Sequence, residues 1–477
     1  MQIPDDRGAV SALPARLAAL LAILERGLIE RGREVRLALL AALAGEHTLL
    51  IGPPGTAKSE LARRLHRAFS AAAYFERLLT RFSVPEELFG PLSISALEQD
   101  RYERHTAGFL PEASIAFIDE VFKANSAILN ALLTLLNERE FDNGAGRQRC
   151  PLVSVIGATN EVPADEVAEA FFDRFLLRLP VSPVSEAGFG GLLELEPAVG
   201  GDVPQALDEA DRAVLTARAV RVRLPAAVAG LLAELRGRLA QGGHYVSDRR
   251  WVKIAALLRV AAASEGRPGV AVWDLWLLPW CVAPDAAGQR EIADWLVTRL
   301  GVREVLSPPR LTRVVEAFEA QLQGEREAND LDYDEAGRLR FSAAEVAGEL
   351  AGEVGEVGDA KGGARALRMT YARKRCYGAR HIGARTAQID ELLACIDGYA
   401  AELAAQRAEL GAYVAQSLWL DPDFAVRSEA SLAATAAALE SLRMRTLAAR
   451  EGFEALPRLP EDAGAVPAPV GHEPLDA

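Results

Sequence analysis

Residues 47–65 read HTLLIGPPGTAKSELARRL. The first six residues predict a short buried strand and the last seven predict a helix, with a glycine- and proline-rich loop between them. The loop matches the phosphate-binding pattern GxxxxGK[ST] at Gly52, Lys58 and Ser59, except that Ala57 replaces the second glycine. Small residues let backbone amides turn toward phosphate oxygens, and the helix start presents its positive dipole end to them.

We therefore predict a site for ATP and Mg²⁺ at this loop. Lys58 would reach the terminal phosphates, and the hydroxyl of Ser59 would ligate the metal. The alternative is a chance glycine-rich turn, which Ala57 favours slightly and the strand-then-helix context disfavours. The predicted nucleotide-binding residues are Gly52, Pro53, Pro54, Gly55, Thr56, Ala57, Lys58, Ser59 and Glu60.

A second motif, IAFIDE at residues 115–120, is an apolar strand followed by two acids. Ligands of open α/β sheets bind at the carboxyl ends of the strands. Asp119 would hold Mg²⁺, mostly through water, and Glu120 would act as the general base on the attacking water. Alternatively, both acids serve only as favourable charges at a helix N-terminus.

The next predicted strand, LVSVIGATN at residues 152–160, ends in Thr159 and Asn160. The amide of Asn160 could orient the lytic water against the terminal phosphate. An asparagine in an ordinary turn is the alternative.

Two arginine-bearing segments follow. FFDRFLLRL, at residues 171–179, carries Arg174, a candidate for an arginine finger on a neighbouring subunit's nucleotide. Arg178 is the reserve candidate, and an ion pair with Asp173 is the alternative role. In YVSDRRW, Arg249 and Arg250 fall in the first turn of a helix, where the helix dipole is unfavourable for them unless an anion is near. We favour Arg249 as the phosphate sensor, with Arg250 close behind and a solvated pair as the alternative.

The order of elements predicts the domains. Continuously apolar strands alternate with helices, which indicates a parallel sheet covered by helices on both faces. We predict an α/β nucleotide-binding domain at 1–185, an all-α domain at 186–305, and a C-terminal helical bundle at 306–455 with an irregular insert at about 324–385. Ile389, Ile396, Leu403 and Leu410 form a heptad seam with Leu392, Tyr399 and Tyr413. The proline-rich residues 456–477 are predicted to be disordered.

Composition excludes several classes of protein. The 477 residues carry a formal net charge of −14, which disfavours binding to nucleic acid or anionic membrane. The four cysteines are far apart in sequence and indicate neither a disulfide framework nor a zinc site. No apolar run is long enough for a membrane span. We expect a cytoplasmic protein.

Together these motifs resemble the AAA+ ATPases, specifically the MoxR branch and its RavA-like subfamily. The resemblance covers about residues 13–300 and includes the segments GPPGTAKS, TRFSVPEELFGPLSI, RYERHTAGFLPEASIAFIDE, ILNALLTLLNEREFDNG and YVSDRRW. Alanine in the loop is usual in that branch. The resemblance gives Lys58, Ser59, Asp119, Glu120, Asn160, Arg174 and Arg249 the roles already named. It also implies that 92–109 and 137–155 form inserted hairpins that face the pore of a hexameric ring.

The same resemblance implies a chaperone-like remodeller or maturation factor with a von Willebrand factor A domain partner. Two rival functions are a nucleic-acid-dependent motor and a nucleotide-switched scaffold with little turnover. The basic segment 361–385 could dock an acidic partner or be a solvated loop.

Overall fold

The computed structural model describes residues 7–144, 146–161, 166–195, 203, 206–330, 373–459 and 465–475. The chain forms two compact units, one of residues 1–300 with 409–429 and the other of residues 301–408 with 430–477. The predicted 306–455 domain is therefore divided, because residues 409–429 group with the first unit. Residues 331–372, which include much of the predicted irregular insert and part of its basic segment, lie outside the described residues.

A parallel sheet forms the centre of the first unit, as predicted, and it has five strands. Its strands are β1 (His47–Ile51), β2 (Tyr74–Leu78), β3 (Ile115–Asp119), β6 (Ser154–Thr159) and β7 (Phe175–Pro180). They lie in the order β2-β3-β6-β1-β7, and all neighbours are parallel. The carboxyl ends of β1, β3 and β6 therefore lie side by side at one edge of the sheet.

Two of these strands were missing from the sequence prediction. β2 contains Glu76 and Arg77 and is only partly buried, so it lacks the continuous apolar run that revealed β1 and β3. β7 is apolar and buried, but the apolar end of the preceding helix, Phe171 and Phe172, lies only two residues before it, so the sequence does not show where the helix ends and the strand begins. Pairing with β3 and β1 decides both cases.

Helices cover the sheet on both faces. They are α1 (Arg7–Glu25), α2 (Gly32–Leu43), α3 (Lys58–His66), α4 (Pro85–Phe89), α5 (Ile94–Leu97), α6 (Ser126–Glu138) and α7 (Glu166–Phe172), with short 3₁₀ helices at Leu110–Glu112 and Val121–Lys123. The apolar sides of β3 and α6 share one core with Phe75, Phe89 and Phe171. Burial of these apolar side chains drives the packing.

The two predicted inserted hairpins have different outcomes. The second is confirmed, because β4 (Glu140–Asn143) and β5 (Gly146–Arg149) pair antiparallel. The first is wrong as a hairpin. Within 92–109 the structure has the short helix α5, and a single antiparallel bridge joins Leu92 to Arg104.

The rest of the first unit is helical, as predicted for 186–305. It contains α8 (Glu186–Leu193), α9 (Glu209–Ala219), α10 (Ala226–Gln241), α11 (Asp248–Ser264), a 3₁₀ helix (Val272–Leu277), α12 (Leu278–Val282) and α13 (Ala286–Arg299). Trp273 and Trp276 are fully buried there. Residues 409–429 pack on this layer: Tyr413 donates a hydrogen bond to Asp274 over 2.7 Å, and Trp419 donates to Ser264 over 2.9 Å.

The second unit is built from α14 (Pro308–Glu327), most of α15 (Ala379–Gln416) and most of α16 (Pro422–Glu454), with a two-residue strand pair, β8 (Asn329–Asp330) and β9 (Arg373–Lys374). The heptad residues of 389–403 are buried, and so are Leu410 and Tyr413 in the first unit. The buried carboxylate of Glu325 accepts hydrogen bonds from His381 and Arg385, at 2.9 and 3.0 Å.

The predicted disordered tail needs a correction for residues 465–475. Arg385 donates to the carbonyl of Ala468 over 2.8 Å, Arg313 pairs with Glu473 over 3.0 Å, and the rings of Phe318 and His472 are 5.9 Å apart. Proline prevents a regular helix or sheet, but it does not prevent an extended segment from packing in one conformation.

Candidate functional site

The carboxyl ends of three adjacent strands bring most of the predicted site residues together. β1 leads into the loop that begins at Gly52, β3 ends at Asp119, and β6 ends at Thr159. Ile51 pairs with Thr159, and the amide of Gly52 donates to the carbonyl of Thr159 over 3.0 Å. The loop, the two acids and Asn160 therefore lie at one edge of the sheet, as the sequence predicted.

The loop conformation explains its small residues. A Cβ on Gly52 would lie 2.1 Å from the carbonyl oxygen of Val181, so a side chain is excluded there. Gly55 has a φ of 79° and Ala57 a φ of 67°, both left-handed. Ala57 thus occupies a conformation that suits glycine and costs alanine about 1 kcal/mol. It immediately precedes α3, so the strain lies at the start of the helix that follows the predicted phosphate-binding loop.

Lys58 lies folded over the loop. Its Nζ donates to the carbonyls of Gly52 and Pro53, at 2.6 and 2.9 Å, and the hydroxyl of Thr56 also donates to Pro53, over 2.9 Å. Burial lowers the pKa of Lys58, while the nearby carboxylates Asp119 and Glu120 act in the opposite direction. The lysine ammonium and the two acids are therefore close enough to interact.

Glu60, the last residue of the predicted set, forms an ion pair with Arg64 one helical turn on, at 2.8 Å. Its carboxylate therefore forms an ion pair within α3. Pro53 and Pro54 lack a backbone N–H, so they stiffen the loop rather than donate to phosphate.

Sequence reasoning missed Arg31, which holds the loop by a hydrogen bond to its backbone. Its side chain is buried, and it donates to three carbonyls: Thr56 at 3.2 Å, Ser182 at 2.6 Å and Glu30 at 2.8 Å. By holding the Thr56 carbonyl, Arg31 fixes the orientation of the Thr56–Ala57 peptide. An arginine between two helices gives no local signal of this role, since Thr56 and Ser182 are 25 and 151 residues away.

The two acids have distinct surroundings. The backbone N–H of Glu120 donates to Oδ1 of Asp119 over 3.0 Å. Oε1 of Glu120 accepts from Nδ2 of Asn160 over 2.6 Å and lies 3.2 Å from the ammonium of Lys123. Glu120 has a φ of 51°, a strained conformation of the kind that is common at functional sites. Lys123 is a further partner that the sequence reading did not identify.

The oxygen donors fit the predicted Mg²⁺. Ser59 is in the first turn of α3, and Asp119 is the last residue of β3. A hydroxyl and a carboxylate are hard oxygen ligands of the kind Mg²⁺ prefers, with phosphate oxygens and water completing its shell. The first backbone N–H groups of α3 have no partner within the helix and are free to meet phosphate.

Arg174 lies at the opposite end of the sheet. It directly precedes β7, whose first residue, Phe175, pairs with His47 at the start of β1. The phosphate loop follows the last residue of β1. A strand of five residues separates the two ends by about 16 Å, at roughly 3.3 Å per residue. The structure therefore does not bring Arg174 to the loop of the same chain.

Arg249 is at the same end as Arg174. Its guanidinium pairs with Oδ2 of Asp173 over 2.9 Å, and its side chain is 47% exposed. Arg250 is different. It is buried and donates to the carbonyls of Phe175 and Leu176, both at 2.8 Å, as well as to Asp173 over 3.1 Å. Of the two arginines that the sequence left open, Arg250 fastens α11 to β7 and Arg249 faces outward.

Arg178, the reserve candidate for the finger, is enclosed. Its guanidinium lies 3.9 Å from the ring centroid of Phe172, and only 7% of the side chain is exposed. Burial, followed by the proximity of Arg250, lowers its pKa well below the ordinary value. A neighbouring subunit could not reach Arg178 without unpacking this core.

Comparison with known proteins agrees with this geometry. Residues 15–213 match the family model described as the MoxR domain in the MoxR-vWA-beta-propeller ternary systems. Residues 227–296 match an AAA lid domain. Residues 15–213 and 227–296 are thus similar to the two domains of a MoxR-type AAA+ module. The sheet, the flanking helices and the lid confirm the predicted fold class. The match does not extend to the predicted RavA-like subfamily.

Three curated proteins are similar to this chain. Two uncharacterised proteins of Methanocaldococcus jannaschii are 40% and 41% identical to this chain over 252 and 241 residues, and the matches cover 52% and 50% of it. The chain spans 65% and 64% of the lengths of these relatives, just under two thirds. The protein MoxR of Paracoccus denitrificans is 29% identical over 179 residues, 36% of this chain and 52% of that protein.

A solved structure shares the fold. The crystal structure of a protein from Cytophaga hutchinsonii, described as a proposed ATPase, superposes with a TM-score of 0.52 at 15% identity. It covers 62% of this chain and 98% of its own. Separately, the described helices include none with the length and apolar run needed to cross a membrane.

Proposed function

We propose that this chain is an ATP-hydrolysing ring ATPase of the MoxR type that remodels a protein client together with a von Willebrand factor A domain partner. ATP and Mg²⁺ are its cofactors, and the ring is a hexamer in the cytoplasm. The RavA-like assignment and the chaperone-like or maturation role are parts of the same proposal.

One half of the proposed site is the loop edge of the sheet. The amides of 55–59 and Lys58 bind the phosphates, Ser59 and Asp119 hold the metal, and Glu120 accepts the proton of the attacking water. Asn160 contacts Glu120 directly, so it can hold the base and the water in register. When bound, Mg²⁺ would neutralise charge that develops on the phosphate oxygens.

The observation that carries the proposal is the position of Arg174. About 16 Å of β-strand separates it from the phosphate loop of its own chain, more than an arginine side chain spans. An arginine finger at this position therefore serves a neighbouring copy. A ring of identical head-to-tail contacts supplies one finger to every site.

Arg249 supports the same arrangement. It shares Asp173 with Arg174 and is exposed, so we assign it the phosphate-sensing role and leave Arg250 a structural one. Both arginines would then approach the phosphate of the same neighbour. This assignment makes the complete active site a property of the interface between two subunits.

Two further observations support the proposed partner and client. The matched domain model is named for systems that combine MoxR with vWA and β-propeller proteins, which supports a vWA partner and suggests a β-propeller protein as well. Exposed apolar side chains on and beside the first insertion, Phe82 at 86% and Ile94 at 74%, could contact an unfolded client.

The proposal is tested with subunits that lack opposite halves of the site. Lys58→Ala removes the phosphate half, and Arg174→Ala removes the finger half. Each variant alone should have little ATPase activity, measured as phosphate release. A mixture should recover activity, because some interfaces join an intact loop to an intact finger. Absence of recovery in rings shown to mix would contradict a shared site.

The two rival functions give different results. A nucleic-acid motor would show ATPase stimulation by DNA or RNA that falls steeply with salt. A nucleotide-switched scaffold would bind ATP with negligible phosphate release in the unmodified protein. The formal net charge of −14 argues against the first, and the Asp119–Glu120 pair argues against the second.

A further inference from the structure

We propose that Asp173 is a positioning residue of the shared site, whose carboxylate holds Arg174 and Arg249 side by side before they meet a neighbour's phosphate. The inference rests on the proposed function and adds to it the group that aligns the two arginines. No motif in the sequence pointed to Asp173 as more than a partner of Arg174.

Four arginines surround this one carboxylate, and they divide between its two oxygens. Oδ1 lies 3.1 Å from Arg250 and 3.8 Å from Arg178. Oδ2 lies 2.9 Å from Arg249 and 3.6 Å from Arg174. The first pair is buried, whereas the side chains of Arg249 and Arg174 are 47% and 18% exposed. One oxygen therefore faces the core, and the other faces the two arginines that a neighbour can reach.

The buried pair has other partners as well. Arg250 also donates to the carbonyls of Cys281, Phe175 and Leu176, and Arg178 lies against the ring of Phe172. These contacts anchor Asp173 to α11 and to β7 from one side. The carboxylate is thereby fixed at the junction between the lid helix and the sheet, and its second oxygen has a defined position.

The outward pair depends more strongly on Asp173. Burial lowers the pKa of Arg174, the charge of Arg249 lowers it further, and Asp173 opposes both effects. Four guanidiniums and one carboxylate leave a net charge of +3 among these five groups. Without the carboxylate, Arg174 and Arg249 would repel each other and separate. With it, they stay adjacent, and the excess positive charge remains available for a phosphate.

The test uses Asp173→Asn, which keeps the shape and one acceptor oxygen but removes the charge. Because Asp173 acts on a neighbour's site, this variant should keep its own ATP affinity, measured with a fluorescent ATP analogue, and lose at least about tenfold in turnover. Mixing it with Lys58→Ala subunits should restore phosphate release. In a random equal mixture, about one interface in four joins the two intact halves.

The matched control is Asp248→Asn, an acid one residue before Arg249 that pairs instead with Arg236 over 2.9 Å at the surface. It should leave turnover unchanged. Recovery in the mixture also shows that Asp173→Asn subunits are folded, since they supply the loop that hydrolyses ATP. An Asp173→Glu variant, which keeps the negative charge of the carboxylate, should retain more turnover than Asp173→Asn.

The outcomes separate this inference from the proposed function. If Arg174→Ala is rescued by Lys58→Ala subunits and Asp173→Asn is not, the shared site stands and the positioning role is overturned. If neither variant is rescued, the shared site itself fails. Turnover equal to or above the unmodified value in Asp173→Asn would also overturn the inference, because it would mean that Asp173 is dispensable or competes with phosphate.

Discussion

The side-chain amide of Asn160 donates to Oε1 of Glu120 over 2.6 Å, linking the ends of two strands that are neighbours in the sheet but 40 residues apart in sequence. Through this hydrogen bond the proposed sensor, Asn160, fixes the position of the carboxylate of the proposed general base, Glu120. Glu120 is also paired with Lys123, so its carboxylate is held from two directions.

Glu120→Gln should keep ATP binding and reduce turnover about 10²- to 10⁴-fold, the range attributed to a general base. The glutamine oxygen can still accept from Asn160, so the fold should not change. Phosphate release and ATP affinity are the two measurements, with the exposed Glu138→Gln as the control. Hydrolysis at the unmodified rate in Glu120→Gln would rule out the base assignment.

The two neighbouring arginines of α11 should respond in opposite ways. Arg249→Ala removes an exposed ion pair, so the free energy of unfolding should fall by less than about 1 kcal/mol. Its turnover should fall by about a hundredfold, the cost of losing one transition-state donor.

Arg250→Ala removes a buried charge from several carbonyls, and its free energy of unfolding should fall by about 3–5 kcal/mol. Urea unfolding of both variants, beside phosphate release, checks the contrast. A stable Arg250→Ala protein with selective loss of turnover would reverse the two assignments.

Ala57→Gly should stabilise the loop. Ala57 has a φ of 67°, which glycine adopts without the steric cost of a Cβ, and the gain should be up to about 1 kcal/mol. Thermal unfolding measures it. Ala44, at a φ of −80°, provides the control, since Ala44→Gly should not stabilise. A lower melting temperature for Ala57→Gly would show that chain entropy outweighs the relieved strain.

His47 should contribute to acid sensitivity. Burial, followed by the charge of Arg139, lowers its pKa well below the usual histidine value of 6.5. The unfolded chain therefore binds this proton first as the pH falls, and stability present above about pH 6.5 is lost below it, at up to about 1.4 kcal/mol per pH unit.

In the structure, Nδ1 of His47 accepts a hydrogen bond from the backbone N–H of Val155 over 2.9 Å. His47→Asn removes the titration and keeps an acceptor for this N–H. Between pH 7 and pH 5 its unfolding free energy should fall less than that of the unmodified protein. Equal slopes in urea unfolding would exclude His47 as the titrating group.

Much of the nucleotide half of the site could be predicted from sequence because its signals are local. The loop 52–59 has its own glycines and lysine, and the acids follow directly from an apolar strand. The parallel sheet then needs only the rule that strand ends align at one edge. The same local logic revealed the heptad of α15, since its apolar spacing is written in one helix.

Other features had no local signal. β2 is too polar to read as a buried strand until it pairs with β3. Arg31 reaches the loop through carbonyls that are distant in sequence. The tail at 465–475 has the composition of a disordered segment, yet Arg385 and Arg313 hold it by contacts that only the folded second unit creates.

The sequence by itself predicted the strand, loop and helix around the phosphate-binding pattern at 52–59 and the acids and amide beside it, because neighbours along the chain specify these elements. Only the tertiary structure decided which arginine is exposed. Arg249 and Arg250 are adjacent in one helix turn, but β7 supplies carbonyls to one and Asp173 leaves the other at the surface. A guanidinium's role depends on which acceptors surround it, and those come from distant parts of the chain.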